Sequence, residues 1–293
     1  MRSLLFVPGD SERKLEKGFS SEADVVIVDL EDSVSAQNKV SARVTAAESL
    51  RAQQDKKGPA VYVRVNDLST GLTDDDLAAL VPACPAGIML PKSNSGADVQ
   101  RLSVKLRVLE AENGLPDGGI AILPIVTETA AGTLAAGSYA GASPRLAGLT
   151  WGAEDLSAAI GARATRDEQR RYMDVFRLAR AMTILGAAAA EVAAIDTVFP
   201  NFRDMDGFRR ECEEAERDGF TGKMAIHPAQ VPVINEVFTP SPAAVAHAQA
   251  VVSAFQAAEN PGVVALEGQM YDRPHLLRAE RLLARARAAG VAA

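Results

Sequence analysis

Eight short apolar runs, rich in β-branched residues and separated by stretches of helical pattern, constrain this chain more than any other feature. They span residues 3–7, 23–29, 60–65, 87–92, 120–127, 145–152, 193–199 and 222–227. The runs are apolar along most of their length instead of alternating with polar residues. That is the mark of parallel strands whose two faces are both covered. Helical patterns follow them, at 10–20, 41–53, 74–80, 96–111, 129–142, 167–190, 207–217 and 229–238. Asp10-Ser11 is an N-cap signal for the first. The run Asp74-Asp75-Asp76 sits at a helix start, where the helix dipole favours negative charge. Eight strand–helix units in 293 residues favour a closed (β/α)8 TIM barrel over an open sheet. Residues 1–239 are assigned to that barrel. Pro240-Ser241-Pro242 then breaks the chain. Residues 240–293 read as a C-terminal helical extension, with helices at 243–258 and 275–288 and a turn at 259–262. An extension beyond a bare barrel serves as a lid on its own barrel or reaches a neighbouring subunit.

Barrel active sites stand at the C-terminal strand ends, so the residues that close the runs are the candidates. Run five is closed by Glu128 and run six by Ala153-Glu154-Asp155. Adjacent parallel strands bring such ends side by side. Two convergent carboxylates suit a hard cation such as Mg²⁺, with Mn²⁺ as its substitute, the remaining positions going to water and substrate oxygens. Either acid alone is explained as a helix cap. Arg64 interrupts the third run, where a charge is expensive unless paired. It is expected to meet a substrate carboxylate or enolate, ahead of a structural bridge to Asp29 or Glu31. Lys92 follows Pro91 and is expected to pair with Glu31 or Glu128, ahead of a Schiff-base role. His227 reads equally as an acid–base group or a local hydrogen-bond partner, and His247 and His275 are assigned nothing. Arg13, Lys14, Lys39 and Arg43 follow the first two strands and could meet the phosphates of a large anionic ligand.

Bulk properties narrow the partners. The net charge of −7 argues against nucleic acid, which needs a basic surface. No apolar stretch approaches the length of a membrane span. Cys84 and Cys212 form no disulfide framework and no metal spacing, which suits a reducing cytoplasm. Residues 1–9 carry one charge and too short an apolar run for a signal peptide, and read as the first strand.

An ordered set of motifs then resembles the citrate lyase β-subunit-like proteins, which include malyl-CoA and citramalyl-CoA lyases and belong to the pyruvate/phosphoenolpyruvate-type barrels. The set is Leu5-Phe-Val-Pro-Gly9, Val28-Asp-Leu-Glu-Asp32 with Lys39 and Ala42-Arg43 behind it, Val63-Arg-Val-Asn66 and Leu90-Pro-Lys92. It continues through Thr127-Glu-Thr-Ala-Ala-Gly132, Trp151-Gly-Ala-Glu-Asp155, Gly222-Lys-Met-Ala-Ile-His-Pro-Ala-Gln230 and Phe238-Thr-Pro-Ser241, so it spans the whole chain. The resemblance implies a homotrimer, or a dimer of trimers, with Mg²⁺ on Glu128 and Asp155. It implies Arg64 on the oxyacid or enolate oxygen. A CoA thioester would enter from the rim, with its contacts expected among Arg13, Lys14, Lys39, Arg43 and Glu154. It also implies an acid–base aspartate delivered from the neighbouring subunit's extension, which maps to Asp272; the family often has a small apolar residue where Tyr271 stands. The expected reaction is reversible cleavage of a 3-hydroxy acyl-CoA, such as malyl-CoA or citramalyl-CoA, to acetyl-CoA and a 2-oxo acid, glyoxylate or pyruvate. The alternatives are a citrate lyase β-type citryl-thioester lyase needing partner subunits, a CoA-independent metal aldolase, and a Schiff-base aldolase through Lys92.

Overall fold

The computed structural model describes residues 1–54, 56–258 and 262–291. It divides into two units, Met1–Ile234 and Asn235–Ala293. The first unit holds eight parallel strands: β1 (Ser3–Pro8), β2 (Val25–Asp29), β3 (Ala60–Arg64), β4 (Gly87–Leu90), β5 (Ala121–Pro124), β6 (Gly148–Thr150), β7 (Ala193–Asp196) and β8 (Gly222–Ala225). Their order is β5-β4-β3-β2-β1-β8-β7-β6. The two outer strands meet through parallel bridges at Ile122–Leu146 and Ile125–Thr150. Across that seam Val126 N–H donates to the Thr150 carbonyl and Ala147 N–H to that of Ile122, each at 2.9 Å. The sheet thus closes into the (β/α)8 barrel.

Strand side chains alternate between the two faces. Leu4, Val25, Ile27, Tyr62, Met89, Leu123, Ile195 and Met224 fill the barrel interior. Their neighbours Leu5, Val26, Val63, Ile88 and Ile122 are equally buried on the opposite face. That double burial is why the runs are apolar throughout, and each such side chain contributes roughly 1.5–3 kcal/mol. The helices are α1 (Glu12–Phe19), α2 (Lys39–Gln53), α3 (Thr73–Leu80), α4 (Gly96–Glu112), α5 (Ala130–Leu134), α6 (Ala153–Ile160), α7 (Asp174–Ala189), α8 (Met205–Asp218) and α9 (Val231–Val237).

The structure corrects the sequence at the start of α7. The helix expected from 167 begins at Asp174. Before it the chain doubles back, with an antiparallel bridge between Arg166 and Tyr172. Asp167 N–H donates to the Arg171 carbonyl at 2.9 Å, and the Asp167 carboxylate accepts the Arg171 amide at 2.8 Å. Asp competes with helix in this way by bonding nearby backbone.

The second unit begins inside α9, ahead of the expected boundary at 239/240. It contains α10 (Pro242–Ala257), β9 (Val263–Leu266), β10 (Gln269–Asp272) and α11 (Arg273–Ala288). The extension is therefore not wholly helical: β9 and β10 form an antiparallel hairpin. Glu267 and Gly268 both have positive φ, 51° and 75°, as a two-residue type I′ turn requires. Val245, Val251, Phe255, Leu276 and Leu283 form this unit's own core. Of the turn expected at 259–262, residues 259–261 lie outside the described residues. No helix among the described residues is long and apolar enough to cross a membrane.

Candidate active site

The charged residues that end β2, β3, β4 and β5 form one network. Asp29 and Arg64 are register partners on neighbouring strands. Asp29 accepts from Arg64 Nε and Nη2, both at 2.7 Å, a forked pair on a carboxylate that is 2 % exposed. Asp29 also accepts the amides of Glu31 at 2.9 Å and Ser33 at 3.1 Å, which holds the loop after β2. Burial works to raise the Asp29 carboxyl, but Arg64 and these hydrogen bonds hold it below the ordinary carboxylate range. Arg64 Nη1 lies 2.9 Å from Glu31 Oε2 and donates to Asp32 at 3.3 Å. The guanidinium also sits 4.8 Å from the centre of the Phe6 ring. Of its five N–H donors, Nε and one on Nη2 go to Asp29 and the two on Nη1 face Asp32 and Glu31, leaving one on Nη2. The bridge to Asp29 is thus present, with one donor to spare.

Lys92 joins this network to the two candidate metal acids. Its ammonium is hydrogen-bonded to Glu31 Oε1 and lies 3.4 Å from Asp155 Oδ1. Its backbone N–H donates to Glu128 Oε2 at 2.5 Å, from a left-handed residue with φ of 50°. Burial opposes the charge, but Glu31, Glu128 and Asp155 together raise the Lys92 pKa. An ammonium held charged in this way is a poor Schiff-base nucleophile, which needs a lowered pKa. Glu128 is 3 % exposed, and its carboxyl is pushed up to about 8. Burial is the main cause; the charges of Asp155 and Glu31 add to it, and the Lys92 amide and ammonium oppose it.

Local geometry explains how Glu128 and Asp155 come close. Gly152 N–H reaches Thr127 Oγ1 at 3.4 Å, linking the segments beyond β5 and β6. A Cβ on Gly152 would stand 2.8 Å from Glu128 Cγ and force that side chain to shift, so glycine leaves room for the carboxylate. Trp151, fully buried, donates its indole N–H to Asp196 at 2.7 Å and anchors the segment that leads to Asp155.

These donors fit a hard divalent cation. They are oxygens, three carboxylates face one ammonium, and buried Glu31 Oε2 has no aligned hydrogen bond. Among the described residues no three His, Cys, Asp or Glu side chains gather into a metal cage. The pair suits Mg²⁺, which is held by one or two carboxylates and keeps several waters.

The expected anion contacts divide. Arg13 and Lys14 are exposed on α1. Lys39 instead donates to the carbonyls of Leu30 and Glu31, both at 2.7 Å, bracing the loop that carries Glu31. Arg43 is a correction: it is buried, donating to Asp76 at 2.6 Å and to Asp75 at 3.4 Å, so it is a structural pair and not a rim cation. Glu154 is exposed and lines a cavity of about 1120 Å³ together with Arg166, Arg170 and Arg210. A second cavity, about 320 Å³, opens beside Lys92 and is lined by Asn94, Asp98, Arg101 and Thr129. His227 accepts the Ala229 amide at 3.2 Å and stacks on Phe202, a local role. Sequence reasoning gave Asp29 and Glu31 no role of their own. Their only signal was the acidic cluster that ends the second run.

Asp272 lies in the second unit, at the end of β10 and the N-cap of α11. It is hydrogen-bonded to His275 Nδ1, and that bond is the main cause holding its carboxyl below the ordinary range.

The chain is similar to known proteins over most of its length. The model of the family described as HpcH/HpaI aldolase/citrate lyase matches residues 2–228. Citrate lyase subunit beta of Leuconostoc mesenteroides subsp. cremoris is 35 % identical over 286 residues, covering 96 % of this chain and 92 % of that one. A (3S)-malyl-CoA thioesterase of Cereibacter sphaeroides is 35 % identical over 291 residues, covering 98 % and 95 %. The crystal structure of protein CitE from Mycobacterium tuberculosis, in complex with magnesium, acetoacetate and coenzyme A, superposes with a TM-score of 0.78 at 34 % identity, covering 97 % of each chain.

Proposed function

Because the chain belongs to the HpcH/HpaI aldolase/citrate lyase family, we propose that it is a Mg²⁺-dependent carbon–carbon lyase acting on CoA esters. Its substrate is a 3-hydroxy acyl-CoA such as malyl-CoA or citramalyl-CoA, cleaved reversibly to acetyl-CoA and glyoxylate or pyruvate. The observation that carries this reading is the approach of Glu128 and Asp155 to Lys92, beside a buried arginine braced on Asp29.

Glu128 and Asp155 would hold the ion, which supplies Lewis-acid polarisation of the oxygens on the oxo-acid side. Arg64, pre-oriented by Asp29, gives its remaining Nη2 hydrogen to the oxygen that gains charge. A preorganised donor of this kind is worth about 2.7–4 kcal/mol in the transition state. Lys92 keeps Glu31 and the two metal carboxylates from repelling one another. Asp272, delivered by the neighbouring subunit of a homotrimer, takes the hydroxyl proton as the carbon–carbon bond breaks. The bond electrons pass to the acetyl-CoA enolate, whose carbon takes a proton from solvent water. Arg13 and Lys14 are the cations left for the CoA phosphates.

Two variants test these roles. Asp155→Ala should lose Mg²⁺-dependent turnover while keeping its circular dichroism spectrum. Asp272→Asn should lose turnover yet still bind the CoA ester in calorimetry. Wild-type rates in either variant would remove that residue from the mechanism.

A further inference from the structure

Two of the three histidines in the chain, His247 and His275, lie in the second unit, and both approach Tyr271, next to Asp272. His275 is the N3 residue of α11 and closes a capping box with Asp272. Glu or Gln is the usual N3 partner in such a box, so helix capping alone does not call for an imidazole. The geometry holds a conflict that only a titratable ring creates. His275 Nδ1 is hydrogen-bonded to Asp272 Oδ1, and the Asp272 backbone N–H also points at that nitrogen, 3.3 Å away. A protonated Nδ1 donates to the carboxylate; an unprotonated Nδ1 accepts from the amide. One proton therefore decides whether the Asp272 carboxylate is held or released.

We infer that His275 is a positioning residue for Asp272, accepting the proton that Asp272 takes from the substrate hydroxyl and passing it to solvent. The inference rests on the reading of Asp272 as the base. Each turnover leaves Asp272 protonated. The proton moves to Nδ1 of a neutral His275, and the imidazolium then loses a proton to water. Both side chains reach solvent, 47 % exposed for Asp272 and 36 % for His275. Other side chains surround His275. Tyr271 packs its ring at 5.3 Å and places its hydroxyl 3.4 Å from His247 Nε2 and 3.3 Å from Gln269 Oε1. α10 brings His247 as its one titratable side chain, β9 brings none, and α11 adds Arg273 and Arg278. In acid, an imidazolium donates to Asp272 and weakens it as a base. Activity should therefore rise as His275 loses its proton.

The test is the pH profile of kcat/KM for oxo-acid release from malyl-CoA or citramalyl-CoA between pH 5 and 9, at saturating Mg²⁺. Wild type, His275→Gln, His275→Ala and Asp272→Asn are compared, with Tm measured for each. His275→Gln keeps the capping box and removes the titration. It should retain Tm, lose the rising limb of the profile, and fall at least tenfold in kcat. His275→Ala should lose the same limb and also some Tm. A His275→Gln profile identical to wild type, with Asp272→Asn inactive, would make His275 a helix cap and overturn the inference alone. Asp272→Asn turning over at the wild-type rate would instead overturn the reading beneath it.

Discussion

Glu128 shows how one buried carboxyl ties stability to pH and metal. Its carboxyl is pushed up to about 8 from an ordinary 4.5, because burial and two neighbouring carboxylates disfavour its charge. A raised folded-state pKa adds stability that is fully present below about 4.5 and lost as pH rises through 8. Metal-free protein should therefore lose Tm between pH 5.5 and 8.5, and Glu128→Gln should lose less; Mg²⁺ should restore the wild-type value at pH 8.5. Equal slopes for the two proteins would deny that Glu128 is the group involved. The strand-end positions of Glu128, Asp155 and Arg64 were legible in the sequence because a charge that ends or interrupts an apolar run stands out. Lys39 and Arg43 show what was not legible. Helical spacing brings a cation near the rim but does not tell whether a carbonyl or an aspartate such as Asp76 already holds it.

At the scale of elements, the eight strands were readable because both faces of each are buried, and apolar runs survive in sequence whatever the helices do. Their lengths were less so: the sixth run covers eight residues and β6 only Gly148–Thr150. The start of α7 was hidden because Asp167 and Arg171 fit a helix as well as the turn they form. The β9–β10 hairpin was hidden because Glu267 is a weak signal for positive φ. Strands β7 and β8 are further joined by a buried network. The Lys223 ammonium donates to Asp196 at 2.6 Å and to Glu211 of α8 at 2.9 Å, with Lys223 wholly buried. Removing one partner of a buried pair leaves the others uncompensated, at about 3–5 kcal/mol. Lys223→Met should show that loss in urea unfolding. A change under 1 kcal/mol would mean that the network adds little.

For the molecule as a whole, the proposal divides one active site between two chains, with metal carboxylates from the barrel and Asp272 from a neighbour's second unit. Two inactive variants should then rescue each other. Asp155→Ala and Asp272→Asn, mixed under conditions that exchange subunits, should regain a fraction of wild-type activity, since some sites combine an intact barrel with an intact Asp272. Mixtures as inactive as their parents would contradict the shared site. The central claim is cleavage of a CoA ester by a Mg²⁺ site at the barrel rim. Its most direct test is a carbonyl-trapping assay with malyl-CoA and citramalyl-CoA, each offered with Mg²⁺ and with EDTA. The account predicts release of glyoxylate or pyruvate from at least one ester, with Mg²⁺ only. Release that persists in EDTA, or no release from either ester, would contradict it.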